Sequence, residues 1–130
     1  EFFAIWDNGS DRYVNMEMNA RGTLLSNIGA DRHGRTPVKD ICGGIFPVAG
    51  EIRNDRWSVT AHIPLDMLAA LYGASEADVA ARLTPGYTFR GNFYKCGDNL
   101  SKPHFLSWQP IALPQPCFHC PEFFTAIELE

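Results

Sequence analysis

Alternation between apolar and polar positions runs through most of this chain. It is strict from Phe89 to Cys96. Phe89, Gly91, Phe93 and Lys95 fall on one side of a strand, and Arg90, Asn92, Tyr94 and Cys96 on the other. RYVNMEMN repeats the pattern, with Tyr13, Asn15, Glu17 and Asn19 against Val14, Met16 and Met18. In RWSVTAHI, Trp57, Val59, Ala61 and Ile63 read as inward and Ser58, Thr60 and His62 as outward. The closing segment sets Phe123, Thr125, Ile127 and Leu129 against Phe124, Ala126, Glu128 and Glu130. EFFAIW and GTLLSNI add two strands near the start. The turn clusters Asp7-Asn8-Gly9-Ser10-Asp11 and Ala20-Arg21-Gly22 separate them from RYVNMEMN, which predicts an antiparallel meander.

One region changes period. Pro64 opens a short helix, LDMLAALYG, that stops at Gly73, and Ser75 caps a second, EADVAARL, with acidic residues in its first turn. Residues 29–55 are rich in glycine and read as a long loop with one short strand near Ile45 to Val48. Residues 109–122 hold Pro110, Pro114, Pro116 and Pro121 and must be extended. The sum is a mainly all-β chain, an antiparallel two-sheet β-sandwich with a short helical insertion near residues 64–83. Residues 1–130 form a single domain by length. The chain opens at Glu1, inside a strand and without Met, so amino-terminal strands are expected to be missing.

Charge narrows the partners. A net charge of −4 with no basic stripe excludes nucleic acid. No apolar run approaches the roughly 20 residues that cross a bilayer, so no membrane insertion is expected. Four cysteines are too few for a disulfide scaffold. Cys117 and Cys120 form C-F-H-C around His119, between Pro116 and Pro121. Half of a zinc site or a redox pair is the sharper reading, and free or occasionally paired thiols the plainer and preferred one.

The polar rows are the candidate site. A sugar needs an apolar platform for its C–H face and fixed donors and acceptors for its hydroxyls. Trp108 and Tyr94 can supply the platform, and Arg90, Asn92, Asn15, Glu17 and Asn19 the polar contacts, if their strands lie in one sheet. The competing reading is a wet outer face with Glu17 paired to Arg90. Trp57 reads as core, Trp6 as core or rim, and Trp108, before the proline loop, as rim. His104 is a further candidate ligand contact, although for His104 and His119 alike a hydrogen bond that ties a loop is the plainer role. Asp31-Arg32-His33 can reach over the site or remain a solvated turn. Asp7, Asn8, Asp11 and Asp98 are candidate oxygen ligands for structural calcium, against a hairpin turn with Asx capping.

YVNMEMNARGTLL, RWSVTAHIPL, RGNFYKCGD, PHFLSWQPI and FHCPEFF, in this order and spacing, resemble the family 9-like carbohydrate-binding domains of bacteria. These belong to the wider DOMON-type β-sandwich group, and the resemblance runs from Glu1 to Glu130. It implies a two-sheet sandwich and a non-catalytic role in binding a mono- or oligosaccharide. Characterised family 9 modules hold sugar ends between tryptophans, read the hydroxyls with polar side chains, and carry structural calcium. Domains of the family usually begin well before the EFF strand. Where the pattern commonly has an Arg before Pro-Glu-Phe-Phe, this chain has Cys120.

Three rivals stand beside sugar binding. Glycoside hydrolysis has Glu1, Glu17 and Asp98 available, but none sits in a catalytic motif. Haem, held by some DOMON-type domains through Met and His, has Met16 or Met18 with His62 or His104, yet both methionines lie on the predicted core side. A structural or protein-interaction module of a larger enzyme is the third. For location, a secreted or cell-envelope setting is favoured over a cytoplasmic one.

Overall fold

A computed structural model describes residues 1–130. In chain order the elements are β1 (Phe2–Ile5), β2 (Tyr13–Met18), β3 (Leu24–Gly29), β4 (Thr36–Pro37), α1 (Val38–Cys42), β5 (Val48–Ile52) and β6 (Trp57–Ala61). Helices α2 (Leu65–Tyr72) and α3 (Glu76–Arg82) follow, then β7 (Thr88–Cys96), β8 (Phe105–Ser107), a 3-10 turn (Pro121–Phe123) and β9 (Thr125–Glu128). The fold is mainly β and sandwich-like, with two antiparallel sheets. The larger has seven strands, six in the order β4-β3-β2-β1-β7-β8 with β9 also paired to β7, and the smaller is the β5–β6 hairpin. The edge of β7 is divided. Tyr94, Lys95 and Cys96 pair with β8, while Thr88 to Gly91 pair with β9.

The predicted turns close the meander by side-chain capping. The Gly9 amide donates to Asp7 Oδ1 after β1. Between β2 and β3, Asn19 Oδ1 accepts from the amides of Arg21 and Thr23, and Gly22 takes a φ of 82°. This turn also carries the hairpin. A Cβ on Gly50 would lie 2.6 Å from Gly22 N and closer still to the Ala20 carbonyl oxygen, so only glycine lets β5 cross there.

Both faces of the large sheet are covered. On one, Val14, Met16 and Ile28 pack with Val38, Phe46 and Leu71, beneath α1 and α2. Partly buried Ala61 and Ile63 join this core from the root of the hairpin. On the other, Phe3, Ile5, Tyr13, Tyr94 and Phe124 pack with Ile111 and Phe118, so the proline-rich passage lies over the strands. The helical insertion falls where the period changed. Gly73 ends α2 in the left-handed region, and Ser75 Oγ accepts from the Asp78 amide to cap α3. Tyr72 anchors the insertion: its hydroxyl accepts from Trp6 N and donates to the Arg12 carbonyl.

Two expectations change. Residues 29–55 hold β4, α1 and β5 rather than one long loop, and the strand lies at Val48–Ile52, not Ile45 to Val48. Trp57, expected in the core, is 52% exposed. It pairs with Ile52 at the outer end of the hairpin, where the inward-reading face has run past the sheet. No helix is long and apolar enough to cross a membrane.

Candidate functional site

The registers put both polar rows on one face. Phe3 pairs with Asn15 on β2 and with Asn92 on β7, so β1 runs between the rows, and Ile5 pairs with Arg90. The face is not wet. Asn15 is 1% exposed and Asn92 0%. Asn92 Nδ2 donates to the Gln109 carbonyl while its Oδ1 accepts from the Gln109 amide, which fastens the proline-rich passage to the sheet. Tyr94 is buried and stacks on Phe118, with centroids 4.4 Å apart at 16°. Burial pushes its hydroxyl well above the usual tyrosine range.

Where this cover ends, a cleft of about 430 Å³ opens between the sheet and residues 115–119. Glu1, Glu17, Arg32, Asp98 and His119 give it polar groups, and Phe105 and Phe118 an aromatic wall. These two phenyl rings meet edge to face, 6.2 Å apart at 67°. Three carboxylates against one guanidinium make the cleft acidic.

Glu17 is held from below. Asn15 Nδ2 donates to Glu17 Oε1 at 2.9 Å, and Asn15 Oδ1 accepts from Arg35 Nε and Nη2 at 3.1 and 2.7 Å. Arg35 lies 4.0 Å above the Tyr13 ring and also donates to the carbonyls of Tyr13 and Asp31. Partners for both ends of the Asn15 amide are what permit it inside the protein, whereas the buried Tyr94 hydroxyl has no hydrogen-bond partner. Beside Glu17, the Glu1 carboxyl is raised, first by burial and then by the Glu17 charge.

His119 is the second fixed group. Burial, then the charges of Arg35, Arg32 and His33, lower its pKa to about 4, so it is neutral at pH 7. Its Nδ1 lies 2.8 Å from the Tyr13 hydroxyl, and burial pushes that hydroxyl up to about 12. The phenol therefore keeps its proton and donates. This assigns the imidazole proton to Nε2, which lies 4.0 Å from Glu17 Oε1. The contact is a neutral N–H beside a carboxylate, not an ion pair.

The remaining candidates lie elsewhere. Ser107 pairs with Tyr94, so Trp108 comes out on the opposite face, edge-on to Phe93 at 5.8 Å and 71°. Tyr94 and Trp108 therefore form no common platform. Trp108 is 53% exposed and Phe93, expected on the core side, 47%. Asn19 is committed to its turn. Arg90 is exposed and opposite Ile5, out of register with Glu17, so the cross-strand pair does not form. His104 fastens the β7–β8 turn. Its Nδ1 lies 2.9 Å from the Lys102 carbonyl and its Nε2 3.3 Å from Lys95 Nζ.

Nor do the candidate calcium ligands converge. Asp7 binds Arg82 at 3.1 Å and Asp11 is exposed in the same turn, beyond one end of β7. Asp98 lies past the other end, accepting from the Asn99 amide. No three His, Cys, Asp or Glu side chains gather as a metal site would require. Met16 is packed in the core under the helices, and Met18 beside it.

Of the cleft residues, alternation points to Glu17, and Glu1 and Asp98 are read as carboxylates near the polar face. Asp31-Arg32-His33 is read as able to reach over the site, and Arg32 does line the cleft. Arg35, Phe105 and Phe118 gave no signal beyond residue type. His119 is read as tying a loop more readily than as a ligand contact, and it is tied to Tyr13 while lining the cleft.

A family model described as carbohydrate-binding family 9 matches residues 1–129. The crystal structure of a proposed carbohydrate-binding protein from Bacteroides uniformis is similar, at 38% identity over 99% of this chain and a TM-score of 0.72. The chain spans 59% of that protein. No curated protein matches it.

Proposed function

This chain belongs to carbohydrate-binding family 9, and we propose that it takes a mono- or oligosaccharide in the cleft beside Glu17 and His119, without catalysis of its own. The observation that carries the reading is the pair itself. A carboxylate oriented by Asn15 and Arg35 stands next to an N–H oriented by Tyr13. An acceptor and a donor held at fixed positions match the adjacent hydroxyls of a pyranose, and the ordering entropy is already spent before the ligand arrives. Phe105 and Phe118 offer ring faces and edges to the sugar's C–H surface. The volume falls within the roughly 300–1,000 Å³ typical of small-ligand sites.

The charge refines the class. Glu1, Glu17 and Asp98 outnumber Arg32, so neutral or amine-bearing sugars fit and uronic acids are repelled. Glu1, Glu17 and Asp98 line the cleft but none sits in a catalytic motif, which favours binding over hydrolysis.

Calorimetric titration with neutral, amino and uronic sugars tests this. Saturable binding that Glu17→Gln and Phe118→Ala weaken and Trp108→Ala leaves intact supports the cleft. The reverse pattern moves the site to the exposed Trp108–Phe93 edge, where two half-exposed rings meet. Heat with uronates alone would overturn the charge argument.

A further inference from the structure

Cys117 and Cys120 face each other with their sulfurs 3.1 Å apart, the Cys120 thiol donating toward Cys117 Sγ. Both are free. We propose that they form a dithiol–disulfide site in which Cys117 attacks and Cys120 resolves, closed by a low-molecular-weight oxidising disulfide. A disulfide bond is about 2.05 Å long, so the sulfurs need approach by only about 1 Å. The backbone between them is already curled: the Cys120 amide donates to the Phe118 carbonyl at 2.9 Å, and Phe123 N to the Cys120 carbonyl at 3.0 Å. Pro116 and Pro121 flank the pair and limit the open conformations that compete with closure.

Access divides the roles. Cys117 lines the cleft, whereas Cys120 is buried behind it. Burial, reinforced by the contact with Cys117, raises the Cys120 thiol to about 12, so it stays protonated while an oxidant meets Cys117. The Cys117 thiolate attacks one sulfur of the incoming disulfide, forming a mixed disulfide and expelling one thiolate. That thiolate takes the Cys120 proton. Cys120 sulfur then attacks Cys117 Sγ and expels the second thiolate, which is protonated from water. Two protein thiols are oxidised and one small disulfide is reduced to two thiols.

The ring so closed contains Phe118 and His119. These are the residues pinned to the sheet by the Tyr94 stack and the Tyr13 hydrogen bond. Oxidation would hold that wall of the cleft covalently, whatever ligand the cleft takes.

The test uses the unsubstituted chain and glutathione disulfide, read by thiol titration and non-reducing peptide mapping. The expected result is the loss of two titratable thiols and a single Cys117–Cys120 crosslink. In Cys120→Ser, one glutathione should remain on Cys117; in Cys117→Ser, Cys120 should stay unmodified. No crosslink in the folded unsubstituted chain, a crosslink through Cys42 or Cys96 instead, or glutathione on Cys120 rather than Cys117 would each overturn the proposal.

Discussion

Tyr13 and His119, 106 positions apart, share a hydrogen bond of 2.8 Å that decides which imidazole nitrogen carries the proton. That bond joins the second strand of the sheet to the loop that walls the cleft. It leaves the His119 Nε2–H facing Glu17 at 4.0 Å at neutral pH, and it ties the geometry of the cleft to a titration.

Acid should loosen this arrangement in a definite window. The folded-state pKa of His119 is about 4 against an ordinary 6.5, so between these values the unfolded chain binds more protons than the folded one. The contribution of neutral His119 is complete above pH 6.5 and is lost as pH falls toward 4. Discounted for solvent screening of the partly exposed ring, its size is on the order of 2 kcal/mol. Urea unfolding across this range should show the loss, and His119→Gln should flatten it. An equally steep profile in His119→Gln would assign the acid sensitivity to other groups.

Glu17→Gln should separate ligand binding from folding. The amide oxygen can still accept from Asn15 Nδ2, so stability should change by less than about 1 kcal/mol. Losing the charged acceptor should weaken sugar affinity about ten- to a hundredfold. Calorimetry and thermal melts on the same preparation distinguish the two effects.

Arg35 should be the costliest polar residue to replace. Arg35→Ala strips Asn15 Oδ1 and the carbonyls of Tyr13 and Asp31 of their donor, a loss of roughly 2–4 kcal/mol. Arg35→Lys should recover little of it, because one ammonium cannot reproduce the planar fork. Denaturant midpoints for the pair check this; full recovery by lysine would show that charge alone suffices.

Gly50→Ala should detach the hairpin. The added methyl meets backbone of the Ala20–Gly22 turn, which cannot step aside as a side chain can. A cost of about 1–3 kcal/mol is expected. Hydrogen exchange should quicken at β5 and β6 before it does in the large sheet. Uniform protection would mean that the turn shifts to make room.

Much of this was legible in the sequence. Strict alternation in Phe89 to Cys96 and Tyr13 to Met18 set Asn92 with Tyr94 and Asn15 with Glu17 on one side of each strand, and the registers through β1 bring the two pairs to one face. What alternation does not carry is what lies against that face. Asn15 and Asn92 look solvated as residue types but are buried, because Arg35 and Gln109 satisfy them. Gln109 opens a proline-rich passage with no period to read. Trp57 failed for a related reason: alternation gives the side of a strand and not how far along it the core extends. A loop-tying hydrogen bond was the plainer reading of His119, but its partner Tyr13, 106 positions away, was beyond local pattern.

The divided edge of β7 has a consequence for the order of assembly. β8 claims one half of that edge and β9 the other, and residues 109–124 cross the face between them. As the chain leaves the ribosome, Asn15, Asn92 and Tyr94 can be paired in their strands long before Thr125 to Glu128 dock. Until then they face water, with no cover and no cleft. The wall of the cleft thus forms only after the strands that it covers. A nascent chain stalled before residue 109 would display this face bare, with half of the β7 edge still unpaired.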